Sequence, residues 1–522
     1  MTRTPSFVEQ LIRQRAGDHP DHTWLKWKDT TVTWGEVLSN IRRVANGLLE
    51  LGVRPGERVA IMAANRPEFL WAHFGSMFIG AQSVPVNISQ RGVTLSHILG
   101  NSDATAVIVQ DDLRDVIESV RKDTPAIRHA VVIDGVPGRG VDWDFDRLMG
   151  AEDVDPDVEV ADAGGAGAML YTSGTTGPPK GVVSTSDAGA AVGAAVIGSL
   201  GVGAGDTMYT ALPLFHGNAL LVSVIGSIVL DAALALAERF SASRLLEDCR
   251  RHQAVEFNTL GGMISILLKQ PPRPDDRDHS VRTVLSAGCP PDRWEEFERR
   301  FGVRLVEFYG MIDSPGLLLN AEGRIGSMGK PVGGVEFQVV DGNEKTVGPG
   351  QVGELVFRHP LGATTAYHKL PDATAEAYRG GWFHSGDLAE CDAEGFFYYR
   401  GRKKESIRRR GENISAWEIE TVLNAHPKVL EAAAYAVPSE LGEDEVMVSV
   451  IPMAGEEVVP EDLVAYCEGK MARYAVPRYV ELVDELPKTE TQRVRYGELR
   501  ARGITNTAWD RERAGQPTGA GT

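Results

Sequence analysis

Six short apolar stretches, separated by helix-like ones, constrain this chain more than anything else in it. They are Arg58–Met62, Ala104–Val109, His129–Ile133, Ala168–Thr172, Thr207–Leu212 and Val255–Leu260. Each reads as a buried strand, because four to eight apolar residues bounded by turn formers suit a sheet covered on both faces. Strands that arrive separated by helices pair in parallel, with the helices packed on either side. The helix before the first of them carries its own signals. Thr33 and Glu36 form a capping box, Val37, Ile41, Val44, Leu48 and Leu51 recur at helical spacing, and Gly52 closes the run. The expected class is therefore α/β, with ligands bound on the loops beyond the carboxyl ends of the strands.

The pattern changes along the chain. From about Gly326, Val335–Val340 and Val352–Arg358 alternate like antiparallel strands between glycine-rich turns. A second break falls at Gly401-Arg402-Lys403-Lys404, and a smaller α/β segment follows it. The reading is a large N-terminal domain over residues 1–400, with two parallel-rich sheets and a distorted barrel. A small mobile C-terminal domain follows over 401–503, and then a tail over 504–522. A chain of 522 residues is long enough for about three or four domain-sized units.

The formal charge of -18 argues against a general nucleic-acid binder, which needs a broad basic surface. Four scattered cysteines lack metal-type or disulfide-framework spacing, which fits a reducing cytoplasm. The longest apolar run, Ala219 to Leu230, is too short to span a bilayer and reads as a buried helix, so no integral membrane association is expected. A homodimer is compatible with this reading.

The most specific string is Tyr171-Thr-Ser-Gly-Thr-Thr-Gly-Pro-Pro-Lys180-Gly181, placed directly after an apolar strand. Gly174 and Gly177 permit backbone conformations that bring amides up to an anion. Thr172, Ser173, Thr175 and Thr176 add hydroxyls, and Lys180 adds a charge for the outer phosphates. The spacing differs from the common G-x-x-x-x-G-K-[ST] loop. A flexible linker would need neither the lysine nor the strand before it.

This string resembles the signature of the adenylate-forming superfamily, which includes acyl-CoA synthetases, aryl-CoA ligases, firefly luciferase and peptide-synthetase adenylation domains. The resemblance runs from Thr33-Trp-Gly-Glu36 to Leu499 and is nearest to medium-chain and carnitine-type acyl-CoA ligases. It implies ATP and Mg²⁺ as cofactors, CoA as co-substrate, a small-molecule acid as substrate, and catalytic roles for Lys180, His216 and Arg493. Ser286-Ala-Gly288-Cys-Pro290 matches the adenine loop, and Glu307-Phe308-Tyr309-Gly310 matches the strand end that stacks on adenine and reads its edge. Asp387 and Arg402 match the ribose-binding pair, and Lys404 falls at the hinge of the small domain. His216, Gly262, Met263 and Ser314 match positions on the acyl pocket, implying an adaptable, largely apolar slot.

Three positions depart from the family pattern. Ile312 stands where a threonine is expected on the α-phosphate, and Asp313 stands for the glutamate that holds magnesium. Gln492-Arg493 replaces a glycine-lysine pair whose lysine bridges carboxylate and α-phosphate. Arginine keeps the charge but presents it as a wider fork. The implied function is activation of a carboxylic acid as acyl-AMP and transfer to CoA. The alternative is an adenylating ligase with another acceptor: an amide synthetase, or a diazotase joining nitrite to an aromatic amine.

Overall fold

The computed structural model describes residues 5–136, 142–158, 167–172, 178–185, 196–314, 316–359, 365–403, 406–409, 412–438, 444–468, 470–471, 474–489 and 492–514. All six expected strands form. Arg58–Met62, Ala104–Gln110, His129–Ile133 and Gly167–Tyr171 belong to a seven-stranded sheet, completed by Trp143–Asp144, Gln82–Pro85 and the edge strand Gly181–Thr185. Every pairing in it is parallel except the last, in which Tyr171 faces Gly181. Thr207–Thr210 and Glu256–Leu260 lie in a nine-stranded sheet with Thr283–Ala287 and Arg304–Gly310 as further parallel members.

The helix Trp34–Leu51 starts on the expected capping box and ends at Gly52, whose φ of 104° is open to glycine. It buries Val37, Ile41, Val44 and Leu48 in an apolar cluster that continues to Leu234 and Phe257 of the second sheet. The two sheets thus share one core, and the shared packing fixes the loops at their carboxyl ends relative to each other.

The barrel expected after Gly326 is an open four-stranded antiparallel sheet: Glu336–Val340, Gly353–Arg358, Phe383–Cys391 and Phe397–Arg402. Its far strand makes a bridge from Phe397 to Gly329, which carries the chain back to the nine-stranded sheet. Local alternation foretold the first two of these strands and not the last two, and closure depends on pairings that alternation does not encode.

The small domain packs the helices Ala416–Asn424 and Pro460–Cys467 on a mixed sheet of Val429–Pro438, Asp444–Pro452, Tyr479–Leu482 and Trp509–Asp510. The last strand corrects the sequence reading, which began the tail at residue 504. Arg478 holds Asp510 at 3.2 Å and fixes this edge. No described helix is long and apolar enough to cross a membrane.

Candidate active site

Strand ends of both sheets open into one cleft with the small domain across it. Thr172, Lys180, His216, Gly262, Gly288, Glu307, Tyr309, Asp313, Asp387, Arg402 and Arg493 all line it.

The neck of the glycine-rich loop is closed by two bonds. The Thr172 N–H donates to the Lys180 carbonyl at 3.0 Å, and the Lys180 N–H donates to the Thr172 hydroxyl at 3.1 Å. Ser173, Gly174, Thr175, Thr176 and Gly177 lie outside the described residues, as does Lys404. The Lys180 ammonium sits 4.3 Å from the centre of the Tyr367 ring. The Tyr367 hydroxyl donates to Asp313 Oδ2 at 2.8 Å. Tyr367 therefore ties the loop lysine to the Asp313 carboxylate, with one oxygen of that carboxylate committed to it. Burial and the nearby Asp313 charge push the Tyr367 phenol well above its ordinary value, so it remains a donor.

On the adjoining wall, Glu307 does not present its carboxylate to the cleft. The buried side chain accepts the N–H groups of Gly288 and Cys289, the latter at 3.1 Å, and so pins the loop after Thr283–Ala287. Burial lifts its carboxyl to about 8, against the pull of those two amides. Gly288 has a φ of 88°, and a Cβ on Gly261 would lie 1.9 Å from its carbonyl oxygen. The loop is thus gripped from both sides. Phe308 is buried with Val306 and Leu317, and Gly310 closes the strand against Leu317.

Tyr309 and Asp387 come from segments 78 residues apart, yet the phenol donates to Asp387 Oδ2 at 2.7 Å. Asp387 and Arg402 are direct partners across two antiparallel strands. Arg402 Nε lies 3.1 Å from Asp387 Oδ1 without the alignment of a hydrogen bond, so that oxygen keeps its acceptor capacity. Burial raises the Asp387 carboxyl, and Arg402, Tyr309 and Arg493 oppose that rise. Beneath this pair, the buried Glu354 accepts from Gly386 N–H at 3.3 Å and from Lys403 Nζ at 3.0 Å. Burial works against its charge, but Lys403 and His384 outweigh burial and hold the carboxyl below its ordinary value. Neither Tyr367 nor Glu354 stands out in the sequence, because what marks them is a contact across many residues.

The small domain contributes Arg493, whose charge acts on both Asp387 and His216. A tight turn presents it: Thr489 N–H donates to the Arg493 carbonyl at 2.7 Å, and Arg493 N–H donates to the Thr489 hydroxyl at 3.1 Å. Gln492 takes the left-handed φ of 60° inside this turn. Its Cβ is 3.7 Å from where a Cβ on Gly262 would sit. Lys488, the nearest other lysine, is turned to Glu431 at 2.5 Å and does not compete for the position.

A further wall of the cleft is built around His216. The residue is half-buried with its Nε2 enclosed and without a hydrogen-bond partner, and desolvation with the nearby Arg493 charge lowers it to about 4. Ile312 packs a methyl on Gly217, where an added Cβ would meet it at 2.7 Å. Two expected pocket residues turn elsewhere. Met263 is on the buried face of the helix Gly261–Leu268, which sends Ser265 and Ile266 to the cleft instead. Ser314 is buried and accepts from Gly316 N–H at 3.3 Å, shaping its own turn.

A cleft at the carboxyl ends of two sheets, with a lysine loop, a tyrosine–aspartate–arginine cluster and a cation from a second domain, defines an adenylate-forming ligase. The chain belongs to the AMP-binding enzyme family, whose model matches residues 12–368, with the AMP-binding enzyme C-terminal domain matching 418–493. It is 31% identical to a sulfoacetate–CoA ligase of Cupriavidus necator, over 93% of this chain and 95% of that one. It is 28% identical to a crotonobetaine/carnitine–CoA ligase of Salmonella heidelberg, over 92% and 96%. The solved anthranilate CoA ligase AuaEII, in complex with anthranoyl-AMP, superposes with a TM-score of 0.85 at 27% identity, over 95% and 96%.

Proposed function

We propose that this ligase activates a carboxylic acid with ATP as acyl-AMP and then transfers the acyl group to CoA. The observation that carries the reading is the convergence of Lys180, Asp313, Tyr309, Asp387 and Arg402 on one cleft, faced by Arg493 from the small domain.

In the first half-reaction a carboxylate oxygen bonds to the α-phosphorus, the bond to the bridging oxygen breaks, and pyrophosphate leaves with the electron pair. An anion attacking an anion needs cations to offset the repulsion, and Arg493 and Lys180 supply them. Asp387 Oδ1, buried and still able to accept, takes the ribose hydroxyls. Tyr309, its hydroxyl fixed on Asp387, offers its ring to adenine. Glu307 acts through the Gly288 loop that it pins. Asp313 suits Mg²⁺, which is held by one or two carboxylates together with substrate phosphates, and one of its oxygens is left for the ion. The bound ion would neutralise phosphate charge. Neutral His216 lines the acid side.

In the second half-reaction the CoA sulfur bonds to the acyl carbon and AMP departs. Rotation of the small domain near Lys404 would withdraw Arg493 between the two steps. The free thiols at Cys249, Cys289, Cys391 and Cys467 suit a cytoplasmic location.

The departures at Ile312, Asp313 and Arg493 favour a second reading, in which an amine or a nitrite-derived group replaces the CoA step. One experiment separates the two. The enzyme is supplied with ATP, magnesium and an acid panel, then with CoA, amines or nitrite plus an aromatic amine, and products are read by mass spectrometry. Acyl-CoA formation supports the first reading, and amide or diazo products with no thioester overturn it.

A further inference from the structure

One wall of the acid pocket carries polar groups that the activation chemistry leaves unused. After His216 the chain enters a helix whose first stretch, Asn218–Val224, is a π-helix, followed by α-helix over Ile225–Leu230. Such widened turns often mark functional positions. Asn218 lines the cleft, and Asn258 from the strand Glu256–Leu260 stands behind it, 2% exposed. Asn258 Nδ2 donates to Asn218 Oδ1 and to Ser223 Oγ, both at 2.7 Å. Asn218 Nδ2 and Asn258 Oδ1 are buried without hydrogen-bond partners, as is His216 Nε2. Exchanging the oxygen and nitrogen of both amides keeps the bond between them, yet one donor and one acceptor still go unused. Leu221, Val222, Leu260 and Ile312 make the neighbouring surface apolar. A pocket for a plain hydrocarbon acid has no use for a buried amide pair, which such a substrate leaves unsatisfied.

We propose that Asn218, backed by Asn258 and Ser223, forms a neutral hydrogen-bonding subsite that selects acids bearing an uncharged polar substituent, such as a hydroxyl, keto or amino group. The inference rests on the reading that this cleft activates an acid. It specifies the chemistry of that acid on both sides. A hydrocarbon acid leaves the amides unfilled. Among the described residues of this subsite, a second anionic group meets only neutral partners: two amides, a hydroxyl and a histidine that stays neutral. Arg493, which also acts on His216, is committed to the reacting carboxylate and the α-phosphate.

Acid-dependent exchange of labelled pyrophosphate into ATP by the full chain tests this. The probes are matched sets on several scaffolds: benzoate, the hydroxy- and aminobenzoates and the phthalates; butyrate, its hydroxy and keto derivatives and succinate. In at least one set, kcat/KM for an uncharged polar acid should exceed that of the parent by on the order of 10²-fold, and the diacid should be poorest. In Asn218→Leu that ratio should collapse to about one or invert, with ATP affinity kept. Asn218→Ala serves the same purpose if the leucine variant does not fold, since the ratio between matched acids is insensitive to partial loss of active protein. Equal use of parent and polar acids in every set, preference for a diacid, or a ratio unmoved in the variants would overturn the subsite. Absence of exchange with every acid, in protein that binds ATP, instead overturns the activation reading and this inference with it.

Discussion

The nucleotide wall and the acid wall of the cleft are built on different terms. On the nucleotide wall most polar groups are held by protein partners, while Asp387 Oδ1 stays open to accept. Tyr309 bonds Asp387, Arg402 flanks it, Glu307 pins the Gly288 loop, and Glu354 supports the ribose strand from below. On the acid wall, His216, Asn218 and Asn258 each hold a buried polar atom without a partner. A wall that always receives the same ligand can be preorganised by its own contacts. A wall that distinguishes among ligands keeps its hydrogen-bonding capacity for the ligand that completes it. Similarity to other ligases therefore says most about the first wall and least about the second.

The largest expected effect lies on the nucleotide wall. Under the proposed function, Asp387→Ala removes a charged acceptor for two ribose hydroxyls, each bond worth about 1.5–3 kcal/mol. ATP affinity measured by calorimetry should fall by roughly 10²–10⁴-fold. Unchanged affinity would break the contrast, because this wall would then not depend on its paired cluster.

Next comes the small domain. Arg493→Ala should slow adenylate formation by about 10²–10³-fold, the usual cost of losing a preorganised charge partner in the transition state. A chemically supplied acyl-AMP should still be consumed at the normal rate. Arg493→Lys distinguishes a requirement for charge from a requirement for the guanidinium fork. Normal pyrophosphate release by the alanine variant would show that another cation serves the step.

A third effect sharpens the picture of the acid wall. Glu256 lies two residues before Asn258 on the same strand, fully buried, with neither carboxyl oxygen bonded. Burial lifts its carboxyl to about 8. A raised carboxyl contributes stability that is complete below its unfolded value and is lost as pH rises toward the folded one. Between roughly pH 4.5 and 8 the group should thus subtract up to about 1.4 kcal/mol per pH unit. Thermal unfolding across that range should show a shallower decline for Glu256→Gln than for the natural protein. Parallel profiles would mean that the carboxyl is solvated.

The smallest effect concerns the closing turn. Gln492 occupies a left-handed conformation that costs a residue with a side chain about 1–2 kcal/mol. Gln492→Gly should change stability by less than about 1 kcal/mol, since relief of strain is offset by a more flexible unfolded chain. Gln492→Val should lose about 1–2 kcal/mol, because a β-branched residue resists positive φ. Equal stability of the two variants would show that the turn rearranges freely.

What the sequence reveals follows from how local each signal is. The capping box at Thr33, the strands and the glycine-rich loop are encoded within a few residues, and the structure has the helix and strands where they were expected. Lys180, Tyr309, Asp387 and Arg402 were recognisable because each sits in a short characteristic string. Tyr367, Glu354 and the Asn218–Asn258 pair were not, since each matters through a partner that only the fold brings near. The family resemblance puts Met263 and Ser314 on the pocket, but helix phase and turn geometry direct them inward. The Ala219–Leu230 run was legible as a helix, though not as one that starts in π form. Trp509–Asp510 is too short to announce itself as a strand.

Under the proposed function, this cleft joins a carboxylate oxygen to the α-phosphorus of ATP. An acid substrate carrying heavy oxygen in its carboxylate tests it directly, with AMP, pyrophosphate and any inorganic phosphate analysed by mass spectrometry after turnover. AMP should carry one labelled oxygen, since the oxygen bonded in activation stays with the phosphorus when the acyl carbon departs, and pyrophosphate should carry none. Label in inorganic phosphate, or AMP with none, would contradict it.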